Sequence, residues 1–216
     1  MNGTLIVNNL SGLLIVTSLM VIGARRITTA AWLYALQSLV LVLIFLTLAA
    51  TGGAHDLYLW SLSAFVTKVV LVPLIMYHAL SPLESREDLP ALVNLPMLAG
   101  IAAICVLLSW YAISNVQLAL VANLKPALAV SMGHFLLGMV CIMTQRNILK
   151  QIFGYCLMEN GAHLTLALMA SNAHELVEIG IATDAVFGVI VMVILARKIQ
   201  HTLRTVDAHE LTSLKG

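Results

Sequence analysis

Long apolar runs separated by short polar clusters organise the whole chain. The first run covers residues 5–24 and is closed by Arg25 and Arg26. The second covers roughly residues 30–51 and stops at Gly52, Gly53, Ala54, His55 and Asp56. The third, 57–80, leads into the most polar stretch, 81–90, with Glu84, Arg86, Glu87 and Asp88. Further runs lie at about 92–113, at 126–144 after an ambiguous stretch at 117–125, between 148 and 170, and between 178 and 196. A helix that crosses a bilayer needs about 20 mostly apolar residues. The pattern predicts an all-α, polytopic membrane bundle of about seven transmembrane helices.

Charge placement orients that bundle. Positive residues accumulate in cytoplasmic loops. With the N-terminus outside, Arg25, Arg26, Arg86, Arg146, Lys150, Arg197, Lys198, Arg204 and Lys215 all fall on the inner side, nine of the eleven Lys and Arg. Helix parity and charge bias therefore both predict N-out, C-in. No basic residue precedes the first run, which reads as a retained anchor rather than a secretory leader.

Composition strengthens the membrane reading. The chain is 61% hydrophobic and 10% charged, against about 25% charged for an ordinary soluble domain. Its 216 residues suit one helical bundle, and the net charge of +1 offers no nucleic-acid surface. Cys105, Cys141 and Cys156 have neither Cys-x-x-Cys spacing nor a disulfide framework. The sequence thus predicts no metal, no cofactor and no catalytic centre of its own. The ten methionines are packing residues.

Ionisable residues inside a bilayer are costly and call for a functional account. Asp184 lies in a run of apolar neighbours, and Glu159 near the middle of the sixth run, with His163 four residues later on the same helical face. Two readings of the acids are open. They load and release protons, or they are interhelical hydrogen-bonding groups that stay protonated. Lys68 sits five residues before Pro73, whose missing N–H leaves the carbonyl of Val69 without its helical partner and predicts a kink. Lys68 either serves an ion or proton path there or forms a static pair. Glu175 and Glu178 mark an outer proton entrance or simply a solvated helix start. His134 is a relay member or a structural hydrogen-bond partner. Lys125, just before Pro126, either begins the fifth helix or lies within the membrane.

The stretch from Arg146 onward resembles the K-type subunit of respiratory complex I and the C-type subunit of Mrp antiporters. The loop Arg146, Asn147, Ile148, Leu149, the acid Glu159 and the acid Asp184 carry the resemblance. Cys156 stands where the complex I subunit has its glutamate, with Glu159 about one turn further on, and the third-helix acid is Asp. The whole chain also resembles the component E family of formate hydrogenlyase-type (hydrogenase 4) complexes. The residues that carry it are 145–149, 153–161, 175–185 and the closing 211–216. Lys68 with Pro73 is similar, more weakly, to the broken helix of antiporter-like subunits, without the His that usually follows.

These resemblances imply an N-terminal transmembrane extension at 1–125, a K-subunit-like three-helix unit at 126–200 and a cytoplasmic tail at 201–216. They also imply a non-catalytic, multi-pass subunit of the bacterial inner membrane. Its partners would be other membrane subunits, antiporter-like ones among them, with a nickel–iron hydrogenase arm reached indirectly. Glu159 and Asp184 would carry protons or ions, and Lys68 would modulate them. A free-standing solute transporter and a pure scaffold are the rival expectations.

Overall fold

The computed structural model describes residues 2–52, 56–80, 92–115, 119–169 and 175–211, with the side chains of 2, 80, 119–121 and 175–185 outside that description. Helix α1 is Asn2–Gly23 and α2 is Ile27–Gly52. Helix α3 runs without a break through Asp56–Ala64, a π-helical stretch Phe65–Leu71, and Val72–Leu80. Helix α4 is Leu95–Ser114, and a 3₁₀ turn, Ala119–Leu124, leads into α5, Lys125–Thr144. Helices α6, Ile148–Met169, and α7, Glu175–Leu203, follow, with a short α8 at Ala208–Leu211. Among the described residues there is no strand, and the fold class is all-α.

Six described segments are long and apolar enough to cross a membrane, on α1, α2, α3, α4, α5 and the later part of α7. Helix α6 is not among them, because Glu159, Asn160 and His163 lower its hydropathy. It is instead the most enclosed helix, buried from Leu149 to Leu168 against α5, α2, α1 and α7. A helix wrapped by others need not present an apolar surface to lipid on every side. The outer surface carries what α6 lacks: Trp32, Leu107, Tyr111, Met143 and Phe187 are all well exposed. So much exposed apolar surface suits lipid and does not suit water.

Two apolar layers make up the interior. One holds Val7 and Leu14 of α1, Ile44 and Phe45 of α2, Trp60 of α3, Leu128 of α5 and Leu164 of α6. The other holds Val21 of α1, Tyr34 of α2, Met76 of α3, Leu137 of α5, Phe153 of α6 and Val193 of α7. Ser11 of α1 and Ser61 of α3 lie within the first layer, but on each of α1, α2, α3, α5 and α6 further buried polar residues fall between the two. Ser18, Gln37, Ser38, Lys68, His134, Glu159, Asn160 and His163 thus form a stratum at mid-depth.

Helices α5 and α6 approach closely because glycines face each other. A Cβ on Gly138 would meet the backbone of Met158, and one on Gly161 would meet the backbone of Phe135 and the carbonyl of Ser131. Small residues at such a seam let two backbones pack without side chains between them. Ser131 Oγ and Thr165 Oγ1, 2.8 Å apart, add a hydrogen bond across it.

One end of the bundle is tied together by its loops. Gln145 Nε2 donates to the carbonyl of Ile22 at 3.3 Å, and the Arg197 guanidinium reaches the carbonyl of Ala79 at 3.2 Å. The chain after α7 folds back on the α5–α6 loop: Ile148 N donates to Val206 O at 3.0 Å and Ala208 N to Arg146 O at 2.7 Å. Arg25, Arg26, Arg146, Arg197 and Arg204 share this end, while Arg86 and Lys215 lie outside the described residues. Lys125 opens α5 at the other end, where Asn8 Oδ1 accepts from Ala127 N at 3.2 Å.

Candidate functional site

The mid-depth stratum begins with a distortion of α3. Pro73 cannot donate a backbone hydrogen bond, so the regular ladder fails one turn earlier. The expected kink takes the form of a π-helical stretch, in which Val72 N–H bonds the carbonyl of Thr67. A π turn holds an extra residue and so widens the helix; such turns recur at functional sites. Lys68 lies inside this stretch, 1% exposed, and is directed into the bundle.

Its ammonium meets three groups of α6. Lys68 Nζ lies 2.9 Å from Glu159 Oε1 and 2.7 Å from Asn160 Oδ1, and it contacts His163 Nδ1 as well. Glu159 and His163 also face each other, with 3.5 Å between Oε1 and Nδ1, as their four-residue spacing requires. Burying either charge alone costs several kcal/mol, and a buried partner offsets this only with good geometry and further hydrogen bonds. Here both conditions hold. The Lys68 proton is also one hydrogen bond away from two acceptors, a carboxylate and an imidazole, so the cluster has the geometry for short-range proton transfer.

The stratum continues away from the ion pair. Asn160 Nδ2 lies 2.7 Å from Gln37 Oε1 and 3.3 Å from Ser38 Oγ. Gln37 Nε2 lies 3.2 Å from His134 Nε2, and His134 Nδ1 lies 3.0 Å from Ser18 Oγ. Ser18 in turn donates to the carbonyl of Leu14 at 2.7 Å. Polar contacts therefore run unbroken from α3 through α6, α2 and α5 to α1.

Of the residues singled out by sequence, the structure brings Lys68, Glu159 and His163 into direct contact and joins His134 to them through Asn160 and Gln37. Asp184, Glu175 and Glu178 lie on α7, which passes the π stretch of α3; their side chains lie outside the described residues. Gln37, Ser38, Ser18 and Asn160 are the members that sequence reasoning missed. Gln37 left one signal, a carboxamide within a span of mean hydropathy 2.3. Among the described residues no group of His, Cys, Asp and Glu has metal-holding geometry.

A second ionic contact lies outside the membrane-spanning part. Arg146 pairs with Asp207 through its guanidinium, and Asp207 Oδ1 accepts from His209 N at 2.9 Å. The hydrogen bond from Arg146 holds the Asp207 carboxyl below its ordinary value, helped by the His209 amide.

Residues 126–216 match the family of NADH-ubiquinone/plastoquinone oxidoreductase chain 4L. The chain is 56% identical over 216 residues to hydrogenase-4 component E of Escherichia coli (strain K12), covering 100% of each chain. The same identity and coverage hold for hydrogenase-4 component E of Shigella flexneri. An uncharacterised protein of Mycobacterium tuberculosis is 21% identical over 224 residues, 99% of this chain and 98% of its own. No solved structure matches the chain. Sharing more than half its residues from end to end with the Escherichia coli and Shigella flexneri proteins, the chain belongs to the hydrogenase-4 component E family.

Proposed function

We propose that this chain is an integral membrane subunit of an energy-converting hydrogenase of formate hydrogenlyase type, in the bacterial inner membrane. In this reading other subunits perform the redox chemistry on the cytoplasmic side. The chain supplies a charge-moving step inside the membrane and helps anchor the hydrogenase arm. One observation carries the proposal: a Lys68–Glu159 ion pair at 2.9 Å, seated in a π-distorted helix between two apolar layers. Static packing does not need a distorted turn with a buried ammonium inside it. Intramembrane acids and lysines beside broken helical turns are characteristic of proton and ion paths. Asp184, on α7, is the second acid of the step, and Glu175 and Glu178 stand at the far start of that helix.

A scaffold reading has one observation in its favour. Among the described residues no buried side-chain N or O lacks a hydrogen-bond partner. Neutralisation separates the two readings. Glu159→Gln and Asp184→Asn keep size and hydrogen bonding while removing charge. Because the first leaves the Lys68 ammonium without its counter-charge, it is run beside a Lys68→Met, Glu159→Gln double variant. Coupling is read in variants whose hydrogenase arm stays membrane-bound. On the charge-moving reading, formate-dependent hydrogen evolution, or its response to collapsing the membrane gradient, changes in each, and Glu178→Gln has a smaller effect. Wild-type coupling in both neutralised variants, with normal assembly, leaves only the scaffold.

A further inference from the structure

The polar stratum has a direction. A lysine ammonium has three N–H donors and no acceptor. Lys68 therefore donates to Asn160 Oδ1, which places the Asn160 amide nitrogen on the opposite side, 2.7 Å from Gln37 Oε1. Gln37 Oε1 is thereby an acceptor, and Ser38 Oγ also donates to it at 3.5 Å. The Gln37 amide nitrogen then points at His134 Nε2, 3.2 Å away, and an N–H donor makes that ring nitrogen an acceptor. A neutral imidazole whose Nε2 accepts carries its proton on Nδ1. That proton goes to Ser18 Oγ at 3.0 Å, and Ser18 passes its own to the carbonyl of Leu14. One donor-only group on α3 thus dictates the tautomer of a histidine on α5.

The same atoms admit one other self-consistent arrangement, in which every step reverses. Ser18 donates to His134 Nδ1, and His134 Nε2–H donates to Gln37 Oε1. Gln37 Nε2–H donates to Asn160 Oδ1, and Asn160 Nδ2–H donates to the lone pair of an uncharged Lys68 amine. Both amides turn over, which only carboxamides can do without changing shape. Lys68 has given one proton to Glu159 Oε1, 2.9 Å away. His134 holds one proton in both arrangements, on Nδ1 in the first and on Nε2 in the second. A mixed arrangement sets two N–H groups, or two carbonyl oxygens, against each other at a fully buried site, at a cost of about 1–3 kcal/mol per unmet group.

We infer that Gln37 and Asn160 are positioning residues whose paired amides tie the tautomer of His134 to the protonation of Lys68. His134 is faced by Ser18 of α1 and Gln37 of α2. The coupling deepens the charge-moving reading of the Lys68–Glu159 pair and rests on it. Its test is a readout independent of hydrogen evolution, so the two can fail separately.

Solid-state NMR on the full chain in lipid bilayers, with ¹⁵N,¹³C-labelled histidine, reads the two ring nitrogens of His134. Gly133–His134 is the sole Gly–His pair in the sequence, so carbonyl-labelled glycine selects this ring without a substitution. The wild type shows a protonated Nδ1 and a bare Nε2. Lys68→Met is made together with Glu159→Gln, so that no unpaired carboxylate is left buried. In this double variant the Nε2 resonance moves toward the protonated position. Lys68→Arg, still a donor-only cation, keeps the wild-type pattern. With Asn160→Leu present, adding the double change no longer moves the His134 signal. A wild-type ring protonated on Nε2 overturns the inference. So does a ring that ignores the loss of Lys68 in a chain that elutes and unfolds normally.

Discussion

Lys68 illustrates why a buried charge is tolerable only as part of a group. Its ammonium is neutralised by Glu159 and further held by Asn160 and His163, all on one face of α6. Removing one partner of a buried pair typically costs about 3–5 kcal/mol, because an uncompensated charge stays behind, whereas removing both is often close to neutral. Lys68→Met should therefore lower the unfolding free energy of the purified chain in detergent by several kcal/mol, and Lys68→Met with Glu159→Leu by clearly less. A double variant as unstable as the sum of its single changes would show that the two residues do not act as a pair. At this scale the sequence exposed charge and hid hydroxyls. Lys68, Glu159 and His163 stand out against apolar neighbours. Ser18 does not, because a helical serine can bond the carbonyl four residues back, as it does with Leu14 at 2.7 Å, and so sits in an apolar run at little cost. Gln37 was passed over for a related reason, since it carries no charge.

The helices were legible as elements because each span is a nearly unbroken apolar run, and their ends moved by a few residues. Helix α7 moved most: its expected start at 178 gave way to Glu175, and its expected end at 196 to Leu203. Periodicity says where a membrane helix starts and stops better than how its turns are wound. Pro73 predicted a disturbance one turn upstream, and the structure has it as the π stretch that contains Lys68. The α5–α6 seam was less visible in sequence, because glycines are common in membrane helices and only pairing in space distinguishes those that matter. Gly161→Val should be severely disruptive, since the new atoms meet the backbone of Phe135 and Ser131, which cannot swing aside. Gly12 and Gly100 have open space where a Cβ would go. Alanine at either should be neutral or stabilising by about 0.5–1 kcal/mol, from the smaller backbone entropy loss. Thermal unfolding of the four proteins gives the ranking, and equal melting of the Gly161 variant and wild type would remove the seam from the account.

For the whole molecule, layering matters more than any single contact. Two apolar layers enclose the polar stratum, so a charge entering it must come from an end or from a partner, and the basic end is the one that the C-terminal segment caps. Positive residues gather on the cytoplasmic side, which makes that cap cytoplasmic in the proposed orientation. Arg204 ends α7 in a left-handed conformation, φ 58°, and turns the chain back so that Asp207 meets Arg146. Because Arg146 holds the Asp207 carboxyl below its ordinary value, the clasp has a definite pH dependence. A depressed folded-state pKa means full stabilisation above the unfolded value, about 3.9 for Asp, and loss as pH falls through the lower folded value. Exchange of the Ala208 amide, which donates to the Arg146 carbonyl, should stay slow through mildly acid pH. It should accelerate, beyond its intrinsic pH dependence, only once the solution is acid enough to protonate Asp207.

The clasp also gives a test of orientation. Arg204 is exposed at the turn where α7 ends, and a protease needs several residues of extended chain to cut there. The bonds from Ile148 N to Val206 O and from Ala208 N to Arg146 O deny it that freedom. Asp207→Asn removes the charge that Arg146 grips while keeping the shape, so the segment should open and trypsin should cut after Arg204. Wild-type protein should resist at the same protease concentration. The cut should occur in inside-out vesicles and be absent from sealed spheroplasts, because the nine basic residues assigned to the inner side include Arg204. Cleavage in spheroplasts alone would put the C-terminal segment outside and overturn the N-out, C-in orientation. Equal resistance of Asp207→Asn and wild type in both preparations would show that the backbone contacts hold the tail without the ion pair.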